Sequence, residues 1–336
     1  MLRVESLVND TLDDAGSLIA AEQTVARSIS GGLPEDFTDP PRCRAELAAL
    51  LANGNIGVVA FDGDRPVGVL CALVRGDRAL LRAEGLAVDP HLKDPTDVLV
   101  ALYTRLAPDL IAAGAIHHHP THVGLGPLGA GLFNLGFGRS SVYATQPTRT
   151  GTNAPGLEIR VGTAEDLPAI VALSVIEMGF RFTPPIYAMP HPSSREHVNE
   201  HHRRLFAEGA IHLLARAGRD DVGLLTLEFT SPSPRLCSAD QPYIGPTATH
   251  SARRGQGVGR VLVEAAIDWA YRNGFHSIAV DFESANPLSR PFWLGTGFVP
   301  VGYQLTRSID PSYRPNVGTG GRAGQHPHRQ PSSGAT

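Results

Sequence analysis

The chain has 336 residues, 42% hydrophobic and 18% charged, which is apolar content for two cores of ordinary size and too much for a disordered chain. A formal net charge of -4 without runs of Lys or Arg excludes the basic footprint of a nucleic-acid or anionic-membrane partner and leaves a small molecule as the expected one. Cys43, Cys71 and Cys237 are scattered, no apolar stretch is long enough for a membrane span, and acids stand where a signal peptide needs an apolar core, so a cytoplasmic protein is expected.

In chain order, apolar periodicity predicts helices over residues 15–28 and 42–52. Residues 57–61 and 66–74 read as a hairpin, followed by a strand over 80–88. Thr96 opens a helix to residue 113, with Val98, Leu99, Leu102, Leu106 and Leu110 on its buried stripe. A strand over 119–123, a short helix ending at Asn134, and Gly136-Phe137 close this half. Residues 145–156, TQPTRTGTNAPG, offer turn formers and little to bury. The expected division is therefore a first domain at 1–145 and a linker at 146–156.

The second half repeats this order with stronger signals. Residues 157–161 alternate as a strand, and Thr163 with Asp166 three residues on starts a helix to about 178. A helix over 193–209 and strands over 210–217, 222–229 and 243–249 follow. Residues 257–271 form a strongly periodic helix stopped by Asn273-Gly274, and 277–282 a parallel strand. Between strand and helix stands Arg253-Arg254-Gly255-Gln256-Gly257-Val258-Gly259. Amides at a helix start suit an anion, glycines let a pyrophosphate approach the backbone, and the two arginines add charge-assisted contacts. Residues 311–336, rich in Gly, Pro, Ser and His, are expected to be a disordered tail.

At these residues the chain resembles the GNAT family of acetyl-CoA-dependent N-acetyltransferases. Arg254, Gly257 and Gly259 match the family's phosphate-loop pattern, and Asn286, Phe292-Trp293 and Gly297-Phe298 match its closing block. The resemblance covers residues 157–310 and implies an α/β fold of two tandem GNAT-like domains, each a mixed, splayed β-sheet flanked by helices. It implies that acetyl-CoA lies in the splay, with Asn286 and Trp293 beside it and its pantetheine arm on the backbone of Thr247, Ala248 and Thr249. An N–H near Ala248 or Thr249 then stabilises the oxyanion while an amine attacks the thioester directly in a ternary complex.

Two positions depart from the family pattern. Trp293 stands where many relatives carry a Tyr that protonates the leaving thiolate, and Tyr243 where some carry a glutamate base. The base is open among Tyr243, Glu228, Glu283, His250 and Asp281.

The first half resembles the family only in outline. Lys93-Asp94-Pro95-Thr96-Asp97-Val98 stands where the phosphate loop belongs, without glycine, with a proline lacking an N–H and with acids that repel a phosphate. This half is expected to be a degenerate partner, and the protein a monomer with an intramolecular pseudo-dimer. The spacing of His197, Glu200 and His201, and the run His117 to His119 with His122, are read as structural, so no metal is expected. A non-catalytic acyl-CoA-binding or regulatory protein is the alternative function.

Overall fold

A computed structural model describes residues 2–124, 126–151, 157–188, 194–238 and 240–313. Most of the tail expected over 311–336, and residues 152–156 of the expected linker, lie outside the described residues. The first half runs β1 (Arg3–Ser6), α1 (Leu12–Ile29), α2 (Pro40–Ala52), β2 (Ile56–Asp62), β3 (Arg65–Arg75), β4 (Arg78–Leu81), β5 (Leu86–Val88), α3 (Thr96–Ala112), β6 (His117–Val123), α4 (Pro127–Asn134) and β7 (Gly138–Pro147). The second runs β8 (Glu158–Val161), α5 (Leu167–Phe180), α6 (Arg195–Ala207), β9 (Ile211–Ala217), β10 (Asp220–Glu228), β11 (Tyr243–Thr249), α7 (Val258–Arg272), β12 (Ser277–Glu283), α8 (Ser289–Gly295) and β13 (Val299–Ser308). The fold is α/β, as expected, and both halves present the same order of elements apart from one extra strand, β4, in the first.

Local chemistry explains the boundaries. Asp39 caps α2 by accepting from the Arg42 N–H, and Ser194 caps α6 by accepting from the His197 N–H. Thr163 and Asp166 cap each other's backbone, and Arg160 clamps Asp166 at 2.7 and 2.8 Å while reaching Asp221 at 2.8 Å. That ion-pair group ties β8, the start of α5 and the β9–β10 turn together. The α7 residues Val258, Leu262, Val263, Ala266, Ile267 and Ala270 are buried at helical spacing, and the helix stops where Gly274 adopts φ 82°.

One sheet runs through the whole molecule, in the order β1-β2-β3-β4-β6-β13-β7-β12-β11-β10-β9-β8, with β5 paired to β3. Its centre is a reciprocal exchange. The last strand of the first half, β7, pairs antiparallel with β12 from Ser277↔Pro147 to Glu283↔Ser141, while the last strand of the second, β13, pairs with β6 from Gly302↔Val123 to Ser308↔His117. These two strands also pair with each other. Exchange closes two edges that separate halves leave exposed, and it makes the seam a core of mixed origin: Ala26, Leu33, Val123 and Tyr143 against Leu236, Tyr243, Ala279 and Val301.

The structure changes two sequence expectations. The segment expected as a linker from residue 146 begins inside β7, which runs to Pro147. Beyond it the Thr148 N–H donates to His276 O at 3.0 Å, Arg149 grips Glu264 at 2.6 and 2.8 Å, and the Gly151 N–H donates to Asp268 at 2.9 Å. Polar composition gives no apolar signal, yet these contacts dock the segment on α7 by charge and hydrogen bonds. The strand expected over 80–88 is broken at Ala83–Gly85 into β4 and β5. A side chain at Gly85 would meet Cys71 Cβ at 2.5 Å, and the carbonyls of Ala83 and Leu86 accept from the buried guanidinium of Arg235, a residue of the other half.

Among the described residues no helix is long and apolar enough to cross a membrane. The three cysteines are free and buried.

Candidate active site

Parallel pairing between β11 and β12 is confined to Tyr243↔Ala279 and Ile244↔Val280; beyond these the strands part. The cause lies in β11 itself. Its register against β10 shifts between Leu225↔Thr247 and Leu227↔Ile244, which places a bulge at Gly245-Pro246. Pro246 has no N–H for a ladder, and a Cβ on Gly245 would overlap the Glu228 carboxylate. From Gly245 to Thr249 the edge of β11 facing β12 therefore has no strand partner, and its polar backbone groups open into a cleft.

The cleft, about 420 Å³, runs from the phosphate-type loop to the point where the strands separate. Gly255 and Gly257 hold φ of 73° and 84°, the left-handed region, so the chain reverses here and delivers the α7 N-terminus to the cleft. No side chain caps α7 and no acid stands in its first turn, so its first amides keep their donor capacity and the positive end of its dipole. A Cβ on Gly259 would press on Phe292 at 3.2 Å. Arg254 lies over the Phe180 ring at 4.2 Å, Arg253 also lines the cleft, and Gln256 turns back to bond Ala252 O at 3.1 Å.

Of the residues singled out in the sequence, the cleft brings together Thr247, Ala248, Thr249, Arg253, Arg254, Gly255, Gly257, Val258, Gly259, Asn286, Trp293 and Glu283. Gln256, Tyr243 and Glu228 are not among its lining residues. Asn286 accepts from the Leu288 and Ser289 N–H groups at 3.0 Å and so opens α8. Trp293 is 5% exposed, held edge-on between Phe292 and Phe298 at ring separations of 5.0 and 5.3 Å.

Acidic chemistry gathers where the strands part. Tyr243 is buried beneath the cleft and its hydroxyl donates to Asp281; burial, with the Asp281 charge, drives the phenol well above its ordinary range. A phenol so held is an anchor for Asp281 and a worse base than the sequence position suggested. Asp281 faces the cleft, and enclosure by protein on its other sides pushes its carboxyl up against the opposing pull of the Tyr243 hydrogen bond. Glu283 forms an ion pair with Arg181 at 2.6 Å. Burial, then the charges of Glu208 and Asp281, push Glu228 up, with Arg204 opposing.

Pattern reading passed over Glu177. It stands on α5 and lines the cleft with Ile176 and Phe180, and burial pushes its carboxyl up to about 7, with Arg181 opposing and Glu283 and Asp281 adding. Its only sequence signal was its place near the end of the helix expected to about residue 178. His197 and His201 form no such site: the Arg204 guanidinium donates to His201 Nδ1 at 3.0 Å, and among the described residues no group of three or more His, Cys, Asp or Glu is placed to hold a metal.

In the first half the corresponding helix start is already occupied. Asp94 Oδ1 accepts from the Thr96 N–H at 2.9 Å and also from its hydroxyl, and Pro95 stands at the cap.

Residues 180–298 match the family model described as the Acetyltransferase (GNAT) family. No curated protein matches the sequence. Among solved structures, a GCN5-related N-acetyltransferase from Sphaerobacter thermophilus superposes with a TM-score of 0.58 at 14% identity, over 91% of this chain and 95% of that one. A tandem GNAT protein from the clavulanic acid biosynthesis pathway gives 0.52 at 15%, over 93% and 100%. An acetyltransferase of the GNAT family from Colwellia psychrerythraea gives 0.52 at 12%, over 92% and 100%. At such identities the likeness is one of fold.

Proposed function

We propose that the second half transfers an acetyl group from acetyl-CoA to an amine of a small-molecule or peptide acceptor, directly and in a ternary complex. The observation that carries this reading is the pairing of an unpartnered strand edge, Gly245 to Thr249, with an acid-free helix start at the same mouth of one cleft. The α7 amides and the guanidinium groups of Arg253 and Arg254 hold the pyrophosphate. The pantetheine arm replaces the missing strand along Thr247 to Thr249, forming the hydrogen bonds that β12 does not. Its thioester then lies beside β11, where an N–H near Ala248 or Thr249 stabilises the oxyanion. The amine attacks, the carbon–sulfur bond breaks, and the thiolate leaves.

In this reading the first half binds no CoA, since its helix start is capped by its own carboxylate and carries no glycine loop. Two like halves that share one sheet bury between themselves what separate subunits would bury as a dimer, which favours a monomer, and the working compartment is the cytoplasm. A non-catalytic acyl-CoA-binding protein is the second reading, favoured by Trp293 and Tyr243 at the acid and base positions.

Calorimetric titration of acetyl-CoA, paired with a thiol-release assay on an amine panel, separates the two. One site with thiol release supports the transferase; one site without release supports the binding protein; no binding sinks both.

A further inference from the structure

We infer that Glu177 is the base of the second cleft, taking a proton from an acceptor amine that arrives as an ammonium ion. The inference rests on the acetyl-transfer reading and adds to it the proton acceptor and the charge class of the substrate.

Geometry selects this carboxylate. An arm anchored at the 253–259 loop and running along β11 delivers its thioester into the cleft that Glu177 lines together with Gly245 and Thr247 of β11 and Asp281 and Glu283 of β12, and the charges of Asp281 and Glu283 act on Glu177. The other acids here are committed or displaced. Asp281 accepts from the Tyr243 hydroxyl, Glu283 is paired with Arg181, and Glu228 packs against the backbone of Gly245 and is not among the lining residues. Glu177 makes no hydrogen bond or ion pair among the described residues, so its oxygens are available to a ligand.

Its surroundings suit the task. The charged groups that face it are Arg181 on its own helix and Asp281 and Glu283 on β12. Their balance is one cation to two other carboxylates, which favours a cationic guest over a neutral one. Burial, the largest cause, holds the group near 7, so at neutral pH about half of it is ready to accept a proton, and once protonated it holds that proton more firmly than an ordinary glutamate. The step balances without any further reagent. The ammonium gives one proton to the Glu177 carboxylate, and the freed nitrogen lone pair forms the bond to the thioester carbon. The carbon–sulfur bond breaks with its electron pair on sulfur, and the second nitrogen proton passes to that thiolate. Glu177 then releases its proton to water.

The test uses the full chain, acetyl-CoA, and a panel of spermidine, glucosamine, L-lysine and alanyl-alanine amide, comparing native protein with Glu177→Gln and Glu177→Asp. Calorimetry with acetyl-CoA first shows whether each variant keeps its fold and donor site; its affinity should change less than twofold. Native kcat/KM should fall below an apparent pKa near 7. In Glu177→Gln that limb should vanish, kcat should drop a hundredfold or more, and the residual rate should rise in proportion to free amine; Glu177→Asp should recover part of the rate and the limb. Native turnover that Glu177→Gln matches, limb included, overturns the role of Glu177 and leaves the transferase standing. Acetyl-CoA binding without turnover of any amine by the native protein overturns both.

Discussion

The two halves use one backbone plan, and their clefts end differently. In the second half β11 and β12 part and the space between stays open. In the first half β5 pairs with β3 alone, and the equivalent edge is filled by a segment that the second half inserts between β10 and β11. The guanidinium of Arg235, with no side-chain exposure, donates to Ala83 O at 2.6 Å, Leu86 O at 3.1 Å and Gln23 at 3.2 Å, and pairs with Glu22 at 2.9 Å. Ser233 donates to the buried Glu84 at 2.6 Å, and Leu236 sits where a Cβ on Gly302 would overlap it. What the second half leaves open, the first half satisfies with protein. The shared fold therefore does not by itself decide whether a cleft stays open; the partners its backbone finds do.

The largest way to break this comparison is Gly257→Glu. It places a carboxylate at the α7 start on a residue held at φ 84°, so acetyl-CoA affinity should fall a thousandfold or more, about 4 kcal/mol. Gly257→Ala, which brings the backbone strain without the charge, should lose far less, and equal losses would assign the effect to strain. Next is Arg235→Ala. Removing one partner of a buried ion pair strands Glu22, and thermal or urea unfolding should show about 3–5 kcal/mol of lost stability, with no second CoA site gained unless the first half is a masked binder.

A pH effect follows from the buried imidazoles. In the second half His202 and His212 are fully buried, joined Nδ1 to Nε2 at 3.0 Å, and burial pushes them down to about 3 and about 4. In the first half His122 is pushed down to about 4. The folded state keeps these groups neutral while the unfolded chain protonates them near 6.5, so stability is full above that pH and drains as pH falls toward 4. Each contributes a slope of up to about 1.4 kcal/mol per pH unit. Urea midpoints between pH 7 and 5 read the sum, and His212→Gln should flatten the curve in proportion. The smallest effect is at Arg254→Ala, where acetyl-CoA affinity should fall about tenfold with a weaker salt dependence, because one charge-assisted contact of several is removed.

The helices and most strands of both halves were legible because burying one face imposes a period, and Leu262, Val263, Ala266 and Ile267 carry theirs plainly. The cleft-lining loop was legible as well, since left-handed turns at Gly255 and Gly257 demand glycine. Three things were not. The docking of residues 146–151 on α7 depends on ion pairs with Glu264 and Asp268, residues more than 110 positions away. The break at Ala83–Gly85 answers to Arg235, whose partner Glu22 is 213 positions from it. And nothing local distinguishes Glu177 from a solvated glutamate on a helix.

The amino-acid sequence alone determined the order of elements, the α/β class and the half that carries a phosphate-type loop, because helix and strand periods, caps and glycine turns are local properties of consecutive residues. Only the tertiary structure decided the exchange of β7 and β13, the filling of one cleft and the opening of the other, and which carboxylate of the cleft has no hydrogen bond or ion pair among the described residues. Those depend on burial and charge summed over residues far apart in the chain, and burial is a property no short window of sequence contains.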